Sequence, residues 1–111
     1  MAIFGRATRT IIINSNVWAD GNDALSLWAP GSNGMYYHAD LYLRCPGVDF
    51  LCPRGWCYAT RCHFYGDSRA MIWHDGRGDK NKKLVITNSS FDAKTPTLLG
   101  RYHHDSQFYV I

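Results

Sequence analysis

Four cysteines, Cys45, Cys52, Cys57 and Cys62, fall within eighteen residues at the spacing Cys-x6-Cys-x4-Cys-x4-Cys, and the rest of the 111-residue chain has none. Thiols clustered in this way cross-link, hold a metal or stay buried and free. Four cysteines allow three pairings, and a nested arrangement, Cys52–Cys57 inside Cys45–Cys62, follows a hairpin. Each bridge over a loop of this size stabilises by about 2–3 kcal/mol in the chain-entropy picture, a large share for a small domain. Zinc is the rival reading. Tetrahedral thiolate sites usually use Cys-x2-Cys knuckles; none occurs here, although His63 beside Cys62 could complete a set. The expectation is two disulfides and no metal.

The other candidates are weaker. His103-His104-Asp105 offers metal or acid–base groups, but adjacent residues of a strand point to opposite faces, so the imidazoles converge only if a turn intervenes. A surface loop is expected there. His74 and Asp75 precede Arg77-Gly78-Asp79, a tripeptide too short to rise above chance, and Asp75 and Asp79 lack the order of a calcium loop. No Gly-x-Ser-x-Gly, phosphate-binding glycine loop or His-Glu-x-x-His occurs, so no catalytic residue and no cofactor is assigned. Asn88-Ser89-Ser90 is a glycosylation sequon that matters only in an exported eukaryotic chain.

These groups have to be positioned by short strands. Residues 8–15 are β-branched and bounded by polar residues. Tyr37 to Arg44 alternates, with Tyr37, Ala39, Leu41 and Leu43 on one face and His38, Asp40, Tyr42 and Arg44 on the wetter one. Trp56 to Phe64 alternates again. Further runs lie at 25–28, 50–51, 70–73, 84–87 and 107–111, separated by Gly, Pro, Asn and Asp turns such as Gly66-Asp67-Ser68. Residues 91–100 read as irregular, 20–28 and 91–99 could each hold a helical turn, and no repeat of solenoid or propeller length stands out.

Composition agrees. The acidic residues are all Asp, straight-chain helix formers are scarce, and there are four Trp, seven Tyr and five Phe, a β-favouring set. The net charge of +3 is mild, and Lys80, Lys82 and Lys83 beside Arg77 read as a solvated loop, which disfavours nucleic acid as a partner. No apolar run is long enough to span a membrane as a helix or to serve as a signal segment. The chain therefore reads as a mature secreted form or, alternatively, as a cytoplasmic protein with reduced thiols.

The stretch Cys52-Pro53-Arg54-Gly55-Trp56-Cys57-Tyr58, then Phe64-Tyr65-Gly66, then Ile72-Trp73, resembles one motif of the βγ-crystallin-like proteins, a superfamily that includes small microbial protease inhibitors and killer-type toxins. It covers about a fifth of the chain, and the family's calcium signature has no match. The resemblance implies a compact β architecture. The sequence as a whole then predicts one domain over residues 1–111, with 1–7 as a flexible N-terminus. Its fold is all-β: a compact antiparallel β-sandwich or small barrel of seven or eight short, disulfide-stapled strands. The expected function is non-enzymatic recognition of a protein or cell-surface target by a secreted module of toxin, effector or inhibitor type. Disulfide-held loops around Pro53–Trp56 and Gly66–Ser68 would present Arg54, Trp56 and Tyr65, since aromatic and Arg anchors dominate interfaces. The alternatives are a carbohydrate-binding, lectin-like module using exposed aromatics, and an intracellular zinc or nucleic-acid module.

Overall fold

A computed structural model describes residues 1–66 and 69–111; the turn read at Gly66-Asp67-Ser68 falls largely outside them. The β-branched and aromatic runs do form strands. In chain order these are β1 (Ile3–Gly5), β2 (Arg9–Trp18), β3 (Leu25–Leu27), β4 (Gly34–Arg44), β5 (Leu51–Pro53), β6 (Gly55–Thr60), β7 (His63–Gly66), β8 (Ala70–Ile72), β9 (Leu84–Thr87), β10 (Ser90–Ala93), β11 (Leu98–Gly100) and β12 (Phe108–Val110). Among the described residues the only helical piece is a 3₁₀ turn at Pro30–Ser32. The expected all-β class holds, but the expected antiparallel sandwich does not. Among the described residues every strand pair is parallel, in a sheet ordered β1-β3-β5-β8-β11 and another ordered β10-β7-β4-β6-β9-β12, with β2 also on β4.

This is a β-solenoid. Each coil lays its strands on those of the coil before: Leu25 on Leu51, Tyr36 on Cys57, Cys57 on Leu84 and Ala70 on Leu98. The spacing between stacked residues varies from 21 (Leu51 to Ile72) to 28 (Ala70 to Leu98). That variation hides the repeat from a search at fixed period. The βγ-crystallin-like architecture suggested by the Cys52–Trp73 stretch is not the one formed.

The long strands turn a corner at one backbone conformation. Asn14, Asp40, Arg61 and Asn88 all have φ near +50°, and the ladder stacks them in one column. Asn and Asp tolerate this left-handed region better than other residues with a Cβ. Arg61 does not share that tolerance, and its guanidinium grips Asp40 by two bonds, Nε to Oδ1 at 2.8 Å and Nη2 to Oδ2 at 2.9 Å. The corner also reverses the side-chain alternation. Tyr36 and His38 point inward before Asp40, and Ala39, Leu41 and Leu43 do so around and after it. His38, expected on the wetter face, is therefore fully buried.

Inside, like positions stack into columns. One runs Val17–Leu43–Phe64–Phe91, where the Phe64 and Phe91 rings lie 4.6 Å apart and nearly parallel. Another runs Ile12–His38–Ala59–Ile86. The tight entry to the long face requires glycine: Gly55 has φ +124°, and a Cβ there would run into the Gly34 carbonyl stacked on it.

The cysteines pack as small apolar residues in this interior. Cys45, Cys52, Cys57 and Cys62 are all buried and unpaired, which overturns the expected disulfides. A parallel ladder already ties each coil to its neighbours through the backbone, so cross-links are not what holds the loops. Burial raises the pKa of all four thiols, leaving them poor nucleophiles. Titrating the unfolded protein without reductant should find four reactive thiols, and the folded protein should show almost none.

His38 sets an acid limit on the fold. Neither ring nitrogen has a well-formed hydrogen bond, and burial lowers its pKa to about 4, opposed only in part by a weak interaction with the Ile12 backbone. The unfolded chain therefore takes up this proton first. Stability should be lost as pH falls from about 6.5 toward 4, by up to about 3 kcal/mol. Urea melts of wild type and His38→Leu should diverge in that window, with the variant keeping its stability.

Candidate functional site

Among the described residues, the carboxylate whose pKa is raised lies where the chain leaves the long face and enters β5. Pro46 and Gly47 make the turn, and Asp49 follows, wholly buried. One coil earlier Asp23 occupies the equivalent position, because Leu25 stacks on Leu51. The two segments are a repeat, Gly21-Asn22-Asp23-Ala24-Leu25 and Gly47-Val48-Asp49-Phe50-Leu51. Stacking places the carboxylates together: Asp23 Oδ1 accepts the Asp49 N–H at 3.3 Å, and the Ser26 hydroxyl donates to Asp23 Oδ2 at 2.9 Å. Asp23, at φ +56°, is thus fixed at both oxygens.

Asp49 is held differently. Arg101, just after β11, donates from Nη2 to Asp49 Oδ2 at 2.7 Å, and the Cys52 thiol points at the same oxygen from 3.6 Å. The other oxygen, Oδ1, is buried with no partner. Burial raises the Asp49 pKa, Arg101 pulls it down and Asp23 pushes it up, with a net rise. Oxygen and sulfur atoms of Asp23, Asp49 and Cys52 lie within 4.8 Å of one another. A metal would have to compete with the guanidinium already seated on Asp49, so the centre reads as a carboxylate–arginine pair.

Arg101 is 52% exposed and opens onto a cleft of about 610 Å³ whose walls include Asn22, Pro46, Val48, Arg69 and Leu98. Pro46 also borders a second hollow lined by Trp18, Arg44, Tyr65 and Lys94. On that outer face Trp18, Arg44 and Tyr65 stack coil over coil. The Arg44 guanidinium lies 5.7 Å from the Trp18 ring and 5.8 Å from that of Tyr65, and Lys94 lies 5.8 Å from Tyr65. Cations and aromatic rings therefore stack along the solenoid in a hollow that meets the Arg101 cleft at Pro46.

The residues expected to bind are dispersed. Tyr65 belongs to this track. Trp56 is on the neighbouring outer face, half-exposed, beside the stacked Tyr37–Tyr58 pair at 6.0 Å. That face is a broad apolar groove of about 860 Å³ edged by Arg9 and Lys83. Arg54 lies at the corner between the short and long faces, with its guanidinium 3.9 Å over Trp28 and 5.3 Å from Trp73, where it packs aromatics together. Asp23, Asp49, Arg69 and Arg101 were not singled out from the sequence. The Gly-x-Asp-x-Leu repeat was the signal that could have found the two aspartates; nothing local marks Arg101. No family model, curated protein or solved structure matches this chain.

Removing the Arg101 side chain strands a buried carboxylate. Arg101→Ala should lose about 2 kcal/mol at pH 7, less than for a fully buried pair because the guanidinium is half in solvent. Asp49 already has a raised pKa, and loss of the cation raises it further, so protonation relieves the penalty. Denaturant melts should show the gap between variant and wild type narrowing as pH falls from 7 to 4.5.

Proposed function

We propose that this protein recognises an anionic polysaccharide and that the Asp23–Asp49–Arg101 centre acts on it hydrolytically. The observation that carries the reading is the buried, pKa-raised Asp49 paired with Arg101 at the mouth of a cleft. Carboxylates perturbed by burial and a specific charge partner concentrate at reacting sites. The neighbouring groups indicate the substrate class. Flat aromatic rings such as Trp18 and Tyr65 suit the apolar faces of sugar rings. Arg44 and Lys94 line one hollow and Arg69 and Arg101 the adjoining cleft, the two meeting at Pro46, and guanidinium groups favour carboxylate ligands. The path crosses several coils, a length suited to a polymer.

In this reading Arg101 meets the substrate's negative charge and shifts off Asp49 as it does so, uncovering a carboxylate with one oxygen free of partners. Asp49 then serves as general base toward an ester: it takes a proton from the water that attacks the acyl carbon and returns it to the alcohol oxygen as the C–O bond breaks, so that one water is consumed and a free acid and an alcohol are released. Asp23, committed at both oxygens, is a positioning residue for the Asp49 backbone. Rigid presentation comes from the parallel ladder, with no covalent staples required.

A narrower reading, carbohydrate recognition without turnover, is favoured by one observation: the Asp49 side chain is 1% exposed. One experiment separates the two. Acidic polysaccharides, carboxyl-esterified forms and neutral polysaccharides are run in affinity gels, while released acid and new reducing ends are followed in solution. Retardation by the acidic polymers with turnover that Asp49→Asn abolishes and whose binding Asp49→Asn spares supports hydrolysis. Retardation without turnover leaves recognition alone. Equal retardation by neutral polymers, or none by any, overturns the proposal.

A further inference from the structure

The loop between β11 and β12 gathers three ligand groups that a strand would have kept apart. The Ser106 N–H donates to the His103 carbonyl at 2.9 Å, closing a four-residue turn. Around that turn one nitrogen from each of His103 and His104 and one oxygen of Asp105 lie within 4.8 Å of one another. His104 Nε2 is 3.3 Å from Asp105 Oδ2, and the two imidazole rings have centroids 4.9 Å apart at 32°. The His103 ring stands edge-on to Trp73 at 4.9 Å, which restricts its rotation. Its Nδ1 is buried and meets no hydrogen-bond partner. A buried imidazole nitrogen without a partner is costly to leave unsatisfied.

We propose that His103, His104 and Asp105 bind one Zn²⁺ ion, with water completing the coordination. Two imidazoles and a carboxylate suit zinc, whereas magnesium and calcium prefer oxygen-only shells. Three protein ligands leave a position open, as zinc allows. Asp75 lines the same cleft as His103 and Asp105 but is not a ligand, since its oxygens accept from Ser32 and from the Arg77 N–H. The ion would hold the three side chains of this turn in one arrangement, by a route independent of what the Asp49 centre acts on.

Calorimetric titration of the untagged protein with Zn²⁺ alone tests this. The expected result is saturable one-to-one binding that His104→Ala and Asp105→Asn each abolish and that His63→Ala leaves intact. His104 is 74% exposed, so its replacement should not disturb folding, and circular dichroism of each variant checks that. A second readout is thermal: Zn²⁺ should raise the melting temperature of the wild type and leave that of His104→Ala unmoved. Absence of saturable binding, or binding that persists undiminished in both His104→Ala and Asp105→Asn, overturns the assignment.

Discussion

The parallel ladder is the constraint on which the rest of the structure depends. In such a ladder a residue lies directly over its counterpart one coil away, so whatever one coil places at a position its neighbour must accommodate. The column Val17–Leu43–Phe64–Phe91 obeys this with apolar side chains throughout, and in Ile12–His38–Ala59–Ile86 the small Ala59 lies next to the larger His38. The same rule brings two aspartates into contact, because Asp23 and Asp49 occupy equivalent positions on adjacent coils. Two buried or half-buried acids in register would repel if both were free. Here one is fully hydrogen-bonded and the other is offset by a guanidinium. The next coil places Ala70 at this position, in keeping with the register of Leu51 on Ile72, and that small residue leaves space beside the pair.

The left-handed corner column does the second structural job. By reversing the alternation at Asn14, Asp40, Arg61 and Asn88, it lets one continuous strand face the core along two walls of the solenoid. The cost is backbone strain, most evident at Arg61. The bidentate hold on Asp40 links two corner residues in adjacent coils and so reinforces the place where strain collects. Outward-facing residues before and after the corner then belong to different surfaces. This is why Trp56 and Tyr65, nine positions apart, serve different faces.

Much of the local structure was legible. The β-branched run at 8–15, the alternation at 37–44 and the short apolar runs at 70–73 and 84–87 all became strands, since pleated, half-buried surfaces select those residues. Strand direction was not legible, because alternation is the same in parallel and antiparallel sheets. The cysteine cluster misled for a physical reason: buried thiols pack as small apolar side chains, and their spacing follows the coil geometry, with no pairing involved. β1, β10 and β11 were missed because they are short edge pieces whose pairing is set by neighbouring coils. The reading of His38 as solvent-facing failed at Asp40, where one residue of positive φ shifts the phase by a position. Of the candidate site, the sequence marks Tyr65 as a binding residue and Cys52 only as a disulfide partner. The aspartate pair required the repeat to be seen through coils of unequal length, and Arg101 reaches Asp49 across 52 residues of sequence.

Coil length varies while the stacked positions stay in register. The excess is taken up in the connections, most visibly the segment from Trp73 to Lys83 between β8 and β9. Such a design separates the scaffold from its decorations. Loops can lengthen, shorten or exchange their side chains without shifting the columns beneath, so the surface chemistry of such a chain can diverge while its interior stays the same.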